Sequence, residues 1–574
     1  MKKTIVVLYI LLASGGIFAQ TKTQTFCNPL NLNYSFTSVG GTNHRTAADP
    51  VITLYKNDYY LFASASGGYW FSVDMHDWKL VVPTGLPLEK PAPAILIAGD
   101  KMYYTAHRSK EVYETDDPKK GVWTKTADIA EYADPMLFLD DDRRLYMYFG
   151  ASFNGGISVV ELDPKQNFKE ISGRVQLMKA NSAEHGWEGS GEDNLGYIRS
   201  GVNRVEPYIE GAWMTKHNGT YYLQYSAPGT IWKTYADGVY TSKSPNKDFV
   251  YQPYSPFSYK PGGFIGSAGH AGTFRDKTGN YWRVATMVIS VAHKFERRLG
   301  IFPAGFDADG VMRTNTYLGD YPQFLPGTIK NPIDKNLAGW MLLSFGKKAT
   351  ASSTLENRPV ENAFDEDVRT VWSAESSAKG EWLTVDLGAI SNINAVQINF
   401  AEQDSTAKGR APEIYQQYVL EISDDGKNWK TLVDKSRNQK DAPHDYIEFS
   451  KAVKARFIKL TNVRAASGKF AVRDLRVFGN AAQAKPAAVK NFTVRRNPND
   501  ARKAVLNWQS SPNADGYTIR FGISPKKLYG SYQVNKGNSL SMNGLNKNVE
   551  YYFAVEAFNA GGVTESSRVI GAGK

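Results

Sequence analysis

The stretch Asn57-Asp58-Tyr59-Tyr60-Leu61-Phe62 sets the pattern from which the fold of this 574-residue chain can be predicted. A turn made by Asn and Asp leads into a short aromatic strand whose side chains alternate between two faces. Similar units return at residues 99–104, 142–148, 218–223 and 278–283. The aromatic residues that align across the five units are Tyr60, Tyr103, Tyr146, Tyr222 and Trp282.

These five repeats predict a five-bladed β-propeller over residues 25–327. The first two intervals between aligned aromatic residues are 43 residues each, which is about the size of a four-stranded blade. The later intervals are longer, as insertions in loops would make them. No long helical periodicity occurs in this part of the sequence, so antiparallel strands are expected throughout.

Two further units follow the dipeptide Pro326-Gly327. Residues 339–480 contain short alternating strands, such as 382–387, and predict a β-sandwich. A linker rich in Ala, Lys and Pro at residues 481–487 separates them from a smaller sandwich at residues 487–574. The expected fold class is therefore all-β: a five-bladed propeller followed by two β-sandwiches.

An acidic residue precedes three of the aromatic strands in the same register. Asp49, Asp134 and Glu210 lie 11 or 12 residues before the aligned aromatic residue of the first, third and fourth repeats. Inner strands of a propeller converge on its axis, so equivalent positions in three blades would bring these carboxylates together. An Asp-Pro pair alone more often marks a turn. Three carboxyl groups in one register favour glycoside hydrolysis, which needs a proton donor and a carboxylate that activates water or attacks the sugar.

This ordered trio resembles the pattern of glycoside hydrolase family 43, and the resemblance covers residues 27–327. It implies that Asp49 is the general base, that Asp134 orients the acid and tunes its pKa, and that Glu210 is the general acid. It also implies inversion, with a water and roughly 6.5–9.5 Å between the base and acid carboxyl groups. Glu206 is the weaker alternative for the acid.

Four further residues are predicted to contact the substrate. His270 lies in a Gly-rich segment that resembles the family's last blade, where the histidine lies beside an ion or a water. Arg298 is expected to reach a sugar hydroxyl or a carboxylate, since strand alternation lets only one of Arg297 and Arg298 point inward. Trp70 would stack on sugar, although core packing explains it equally well, and Trp187 belongs to an insert that would shape the pocket rim.

Residues 339–480 resemble the discoidin-like sandwich that serves as a carbohydrate-binding module of family 32. The resemblance rests on the segments 360–372, 382–388 and 423–429. It implies a calcium ion held in an oxygen-rich loop. The candidate ligands are Asp365, Asp367, Thr370 and Asp474, the last of which stands where the family usually has Glu.

The last unit, residues 487–574, resembles a fibronectin type III module. Trp508 would be its core tryptophan, and Tyr551 or Tyr552 would form the tyrosine corner after Leu545. We expect a spacer rather than a catalyst.

The N-terminal sequence predicts export. Lys2-Lys3, an apolar run at residues 5–12 and small residues ending at Ala19 have the layout of a secretory signal peptide over residues 1–19. We therefore expect a periplasmic or secreted protein with no membrane span, since no later stretch has the roughly 20 apolar residues of a spanning helix. The single cysteine, Cys27, excludes an internal disulfide.

The composition indicates which classes of binding partner to expect. The net charge is +11, but the basic residues are dispersed and no nucleic-acid motif occurs, so no nucleic-acid partner is expected. Aromatic residues make up 13% of the chain, which suits sugar binding. We expect a plant polysaccharide or oligosaccharide as the substrate, no organic cofactor and a monomer.

The preferred functional interpretation is an exo-acting α-L-arabinofuranosidase that trims polysaccharide side chains. The same trio also serves β-xylosidases, galactan-active exo-enzymes and endo-arabinanases, so the sugar remains open. A non-catalytic glycan-binding protein is the alternative from another class.

Overall fold

The computed structural model describes residues 24–39, 41–88 and 90–573, and the predicted signal peptide lies outside them. Within these ranges the chain is nearly all-β, as the sequence predicts. The helices are the α-helix Pro332–Lys335 and the 3-10 helices Pro164–Gln166, Gly186–Glu188 and Val360–Ala363. Among the described residues, no helix combines the length and the apolar character that crossing a membrane requires.

Five antiparallel sheets of four or five strands follow one another between residues 48 and 314. Sheet 1 contains Ala48–Tyr55, Asp58–Ser64, Tyr69–Ser72 and Lys79–Val81, and sheet 2 contains Ala94–Ala98, Lys101–Thr105, Glu111–Thr115 and Thr124–Asp128. Sheet 3 contains Met136–Leu139, Leu145–Phe149, Gly156–Asp163, Lys169–Glu170 and Val175–Lys179. Sheet 4 contains Ser152–Phe153, Tyr208–His217, Thr220–Ala227, Ala236–Ser242 and Val250–Tyr251, and sheet 5 contains Gly266–Arg275, Tyr281–Val288, Arg297–Phe306 and Met312–Thr314.

The innermost strands of the five sheets form a closed ring. Ala48–Tyr55 contacts Ala94–Ala98 and Gly266–Arg275, and Met136–Leu139 and Tyr208–His217 complete the circle. This is the arrangement of a propeller, in which the sheets radiate from a common axis. Two hairpins, Ser35–Val39 with Thr42–Thr46 and Tyr197–Arg199 with Val202–Arg204, precede the inner strands of sheets 1 and 4 along the chain.

The aligned aromatic residues hold neighbouring sheets together. Tyr60, Tyr146, Tyr222 and Trp282 are almost completely buried, and Tyr103 is partly buried. Large aromatic side chains suit this role because they fill the wide gaps between twisted sheets.

A discoidin-like β-sandwich follows, as predicted. Its strands are Met341–Leu342, Lys348–Ala351, Trp372–Ser373, Trp382–Phe400, Gln417–Ser423, Lys430–Asp434, His444–Arg464 and Ala471–Asn480. The two longest strands pair along their length with register shifts, and such bulges bend a sheet around its core. Trp372 is fully buried at the centre of that core.

The last unit contains two small sheets. One is formed by Lys490–Arg496, Ala504–Gln509 and Ser539–Met542, and the other by Gly516–Gly522, Gly530–Val534, Tyr551–Asn559, Gly562–Thr564 and Ile570–Ala572. Trp508 is buried against Tyr517, and the Tyr551 hydroxyl accepts a hydrogen bond from the N–H of Asn546 at 3.1 Å. The fibronectin type III assignment stays a prediction.

Candidate active site

Five residues with left-handed backbone surround the axis, one at the inner strand of each sheet. Their φ angles lie between 40° and 66°, and they are Asp49, Ala92, Asp134, Gly211 and His270. In sheets 1, 4 and 5 the strand register shifts at this point, which marks a β-bulge. Non-glycine residues rarely adopt such angles, so the surrounding structure must hold each of them in place.

Side chains from the preceding sheet supply that support. The N–H groups of Asp49, Ala92 and His270 donate to hydroxyl oxygens at 2.9, 2.7 and 2.9 Å, and Nδ1 of His107 lies 3.1 Å from the nitrogen of Asp134. The supporting residues are Thr286, Ser64, Ser226 and His107. All four stand four positions after the aligned aromatic residue of their own sheet. The sequence predictions omit them, although the repeat alignment, read four residues further, would have singled them out.

Asp49 is held as a carboxylate. It is 8% exposed, Ser64 donates to its Oδ2 at 2.6 Å, and Nδ1 of His270 lies 3.0 Å from its Oδ1. Burial alone would raise the pKa of Asp49, but the charge of His270, followed by Arg297 and the Ser64 hydroxyl, outweighs it and holds the pKa well below its usual range. Asp49 is therefore ionised at neutral pH and able to accept a proton.

Glu210 is held as the acid. It is 8% exposed, and the Tyr235 hydroxyl donates to its Oε1 at 2.6 Å. Burial and then the negative charge of Asp134 raise its pKa to about 8, with His270 and Tyr235 acting in the opposite direction. Glu210 therefore keeps its proton at neutral pH.

Asp134 and His270 complete the constellation. One carboxylate oxygen each of Asp134 and Glu210 and a ring nitrogen of His270 lie within 4.8 Å of one another. His270 also contacts Asp49, with Nδ1 3.0 Å from Oδ1. Burial alone would lower the pKa of His270, but the neighbouring carboxylates raise it to about 10. One ligand atom from each of Asp134, Glu210 and His270 is available for the ion or water predicted at the axis.

Two predicted aromatic contacts are wrong. Trp70 and Trp187 are 0% exposed. Trp70 packs in the core of sheet 1 and donates its indole N–H to Oδ1 of Asn33 at 2.7 Å. Trp187 lies in the 3-10 helix Gly186–Glu188 of the insert and donates its indole N–H to the Tyr251 hydroxyl at 3.0 Å. Neither ring has a face open to a sugar.

The predicted sugar contact of Arg298 is also wrong, because the alternation of its strand has the opposite phase. Arg298 is fully buried and reaches the discoidin-like sandwich, where its Nε lies 2.8 Å from Nε2 of His444. Arg297 turns toward the site instead, and its Nη1 donates to the Thr230 hydroxyl at 3.0 Å. Glu206, the weaker alternative for the acid, pairs with Arg204 at 3.6 Å and is more than a third exposed.

The predicted calcium ligands are only partly gathered. The Thr370 hydroxyl lies 2.9 and 3.0 Å from the two carboxylate oxygens of Asp365, and 3.0 Å from the carbonyl oxygen of Asp367. Burial raises the pKa of Asp365 to about 6. Asp474 instead accepts the N–H of Glu366 at 2.9 Å. Asp365, Asp367 and Thr370 offer oxygen atoms of the kind that calcium prefers, and Asp474 reaches the N–H beside Asp365 with one of its two carboxylate oxygens.

Comparison with known families gives two matches. Residues 43–312 match the family model for glycosyl hydrolases family 43, and residues 348–474 match that for the F5/8 type C domain. The chain therefore carries a family 43 glycoside hydrolase domain followed by a discoidin-like domain, as both resemblances predict.

The individual relatives share only 14–24% sequence identity with this chain. A β-xylosidase from Xylanibacter ruminicola is 24% identical over 261 residues, which cover 37% of this chain and 78% of the relative. The solved family 43 protein BlXynB from Bacillus licheniformis is 14% identical, with a TM-score of 0.40 over 79% of this chain and 99% of its own. An α-L-arabinofuranosidase from Clostridium thermocellum is 19% identical, with a TM-score of 0.34 over 46% of this chain and 93% of its own.

Proposed function

We propose that this chain, with its family 43 domain over residues 43–312, is an inverting exo-glycoside hydrolase that removes α-L-arabinofuranosyl residues from the side chains of a plant polysaccharide. The observation that carries the proposal is the pairing of an ionised Asp49 with a protonated Glu210 in one buried site. Two carboxyl groups with separated pKa values are what glycoside hydrolysis needs.

Each member of the trio has a role that its surroundings support. Asp49 takes a proton from the attacking water, while Glu210 gives its proton to the leaving oxygen. Asp134 keeps that proton on Glu210 by its negative charge. An inverting mechanism would place the attacking water between the carboxyl groups of Asp49 and Glu210, which are then roughly 6.5–9.5 Å apart.

The rim on the side of Glu210 is aromatic, which suits a polysaccharide leaving group. Because the acid protonates the leaving oxygen, the released part of the substrate must lie on this side. Tyr208, two residues before Glu210, packs edge-to-face on Phe153 at 5.0 Å, and Phe153 is 55% exposed. Nearby, Tyr197 and Trp232 pack at 5.1 Å. Such rings bind the apolar faces of sugars.

A β-xylosidase is the second candidate, because the β-xylosidase relative is similar over 261 residues. A galactan-active exo-enzyme, an endo-arabinanase and a non-catalytic glycan-binding protein are further alternatives. A panel of nitrophenyl glycosides separates them. Release from the α-L-arabinofuranoside alone supports the proposal, and release from the β-D-xyloside alone supports the second candidate. If no nitrophenyl glycoside is hydrolysed and the protein still binds glycan, the non-catalytic alternative is supported.

Tyr235→Phe should move the alkaline limb of the pH profile to higher pH. The Tyr235 hydroxyl stabilises the ionised form of Glu210 and so lowers its pKa. Without it, the pKa rises above about 8, and the acid keeps its proton to a higher pH. The measurement is kcat/KM against pH. Tyr225→Phe, which removes a buried hydroxyl bonded to Glu188, is the matched control; a limb in Tyr235→Phe that stays in place or moves down contradicts the role of Glu210.

We also propose that Asp365, Thr370 and the Asp367 carbonyl hold a structural calcium ion in the discoidin-like domain. Calcium should raise the Tm, and EDTA should lower it, because an ion bound only by the folded state stabilises that state. Asp365→Asn should abolish this response, while Asp425→Asn, an exposed turn residue of the same domain, should keep it. If the Tm of the wild type does not change with calcium or EDTA, the proposed calcium site is contradicted.

Export and a monomeric state belong to the same proposal. A polysaccharide substrate must be met where large glycans occur, which agrees with a signal peptide cleaved near Ala19. N-terminal sequencing of the mature protein and its mass in solution test the two points.

A further inference from the structure

A buried network of charged side chains joins the propeller to the discoidin-like sandwich. Its members are between 0% and 13% exposed. The propeller contributes Arg45, Glu296 and Arg298, and the sandwich contributes Glu402, Asp441 and Arg473. Charged groups so deeply buried are tolerated only when they are paired.

Glu402 is at the centre of this network. Its Oε1 lies 2.8 Å from Nη2 of Arg298 and 3.6 Å from Nε of Arg45, and its Oε2 lies 2.9 Å from Nη2 of Arg473. A single carboxylate from the sandwich thus faces three guanidinium groups, two of which belong to the propeller.

Arg298 connects Glu402 to the backbone of the active site. Its Nη1 donates to the carbonyl oxygen of Arg45 at 2.7 Å and to that of Arg297 at 3.0 Å. Arg45 lies four residues before Asp49 on the chain that enters the inner strand of sheet 1, and Arg297 carries the guanidinium that faces the site. Arg298 therefore fixes the two backbone segments that position Asp49 and Arg297.

Glu296 fixes the neighbouring rim loop in the same way. Its Oε1 accepts a hydrogen bond from Nη2 of Arg473 at 2.5 Å. Its Oε2 accepts the N–H groups of Val291 and Ala292 at 3.1 and 2.8 Å. The loop that leads into Arg297 is thus tied to the sandwich as well.

We propose that the discoidin-like domain is a structural part of the active site, and that Glu402 is a positioning residue that holds Asp49 and Arg297 in place through Arg298. This role rests on the proposed function of the propeller. It goes beyond the binding of glycan by an appended module, because the sandwich supplies the counter-charge that keeps two catalytic segments in register.

The test compares two Glu→Gln substitutions in the full chain. Glu402→Gln removes the central charge and keeps the shape of the side chain. Glu448→Gln is the matched control, because Glu448 also joins the sandwich to the propeller but does so at Thr25, through hydrogen bonds of 2.9 Å to its N–H and hydroxyl. Glu402→Gln should lower kcat by about tenfold to a hundredfold with little change in KM, since small misplacements of catalytic groups have effects of this size. Glu448→Gln should leave kcat close to the wild type.

Hydrogen exchange supplies a readout that does not need activity. In Glu402→Gln, deuterium uptake should rise in residues 43–49 and 290–298, and in Glu448→Gln it should not. The positioning role is overturned if Glu402→Gln takes up deuterium in both segments as the wild type does, or if its kcat equals that of Glu448→Gln. If the wild type hydrolyses no glycoside, the proposed function fails, while the exchange result still decides whether Glu402 orders these segments.

A second variant covers the case in which Glu402→Gln does not fold. Asp441 binds Arg45 through both carboxylate oxygens, at 2.5 and 2.8 Å, and is the most exposed member of the network. Asp441→Asn leaves Glu402, Arg298 and the bond from Arg298 to the Arg45 carbonyl in place, so exchange in residues 43–49 and 290–298 and kcat should stay close to the wild type. A rise of exchange in both segments together with a fall in kcat of about tenfold would show that the network orders these segments without a special role of Glu402, and would overturn the positioning role.

Discussion

Asp49→Asn should reduce kcat/KM by roughly a hundredfold to ten-thousandfold, the range expected for loss of a general base. The loss should be similar for every substrate, whatever its leaving group, because the base acts on the attacking water and not on the leaving oxygen. Asn has the size of Asp and can still accept the hydrogen bond from Ser64. What it lacks is the charge that takes up the proton.

The control for this variant is Asp140→Asn. Asp140 is another buried aspartate of the propeller, but it pairs with Lys216 and Tyr221 away from the axis. Its substitution should lower the Tm and leave turnover in place, whereas Asp49→Asn should fold normally and lose turnover. Calorimetry and steady-state kinetics on both variants give the answer, and turnover near the wild-type level in folded Asp49→Asn rules out the assignment of the base.

Glu210→Gln should show a loss that depends on the leaving group. A sugar alcohol departs only when it is protonated, so hydrolysis of an oligosaccharide should fall by roughly a hundredfold to ten-thousandfold. A dinitrophenyl glycoside should lose far less, because its phenolate leaves without a proton. The alkaline limb should also vanish. We expect the wild type to lose activity as pH rises through about 8, because Glu210 gives up its proton there, and Gln has no proton to lose.

Glu188→Gln is the matched substitution for this experiment. Glu188 is fully buried in the insert and bonds to Tyr225 and His185. Any effect it has on folding should lower activity on both substrates equally. Equal losses on both substrates in Glu210→Gln would mean that Glu210 is not the proton donor.

The sequence was sufficient to place the three carboxylates because a propeller repeats one local pattern. Asp49, Asp134 and Glu210 keep nearly constant spacing from an aromatic residue, and the closed ring of inner strands converts that spacing into proximity. The residues that hydrogen-bond to these backbone positions follow the same repeat, since Ser64 and His107 each stand four positions after an aligned aromatic residue.

The orientation of Arg298 was not predictable by the same reasoning. Strand alternation assigns two neighbours to opposite faces, but it does not say which face is which. The phase is set here by Glu402, which lies 104 residues further along the chain. No local pattern around Arg297 and Arg298 contains that information.

The predicted sugar contacts of Trp70 and Trp187 were wrong for a different reason. The same ring that stacks on sugar also fills a core, and only the packing of distant segments decides between the two uses. Trp187 is covered by sheet 4 and the last sandwich, and Trp70 by the core of sheet 1.

Proton NMR of the first sugar released tests most directly whether Asp49 and Glu210 act as an inverting pair around one site. Spectra are recorded within the first turnovers on an α-L-arabinofuranoside, or on whichever glycoside the panel selects, before the free sugar mutarotates. We expect the anomer opposite to that of the substrate to form first, because water activated by Asp49 attacks the face opposite the leaving group. First release of the anomer with the configuration of the substrate would contradict this account.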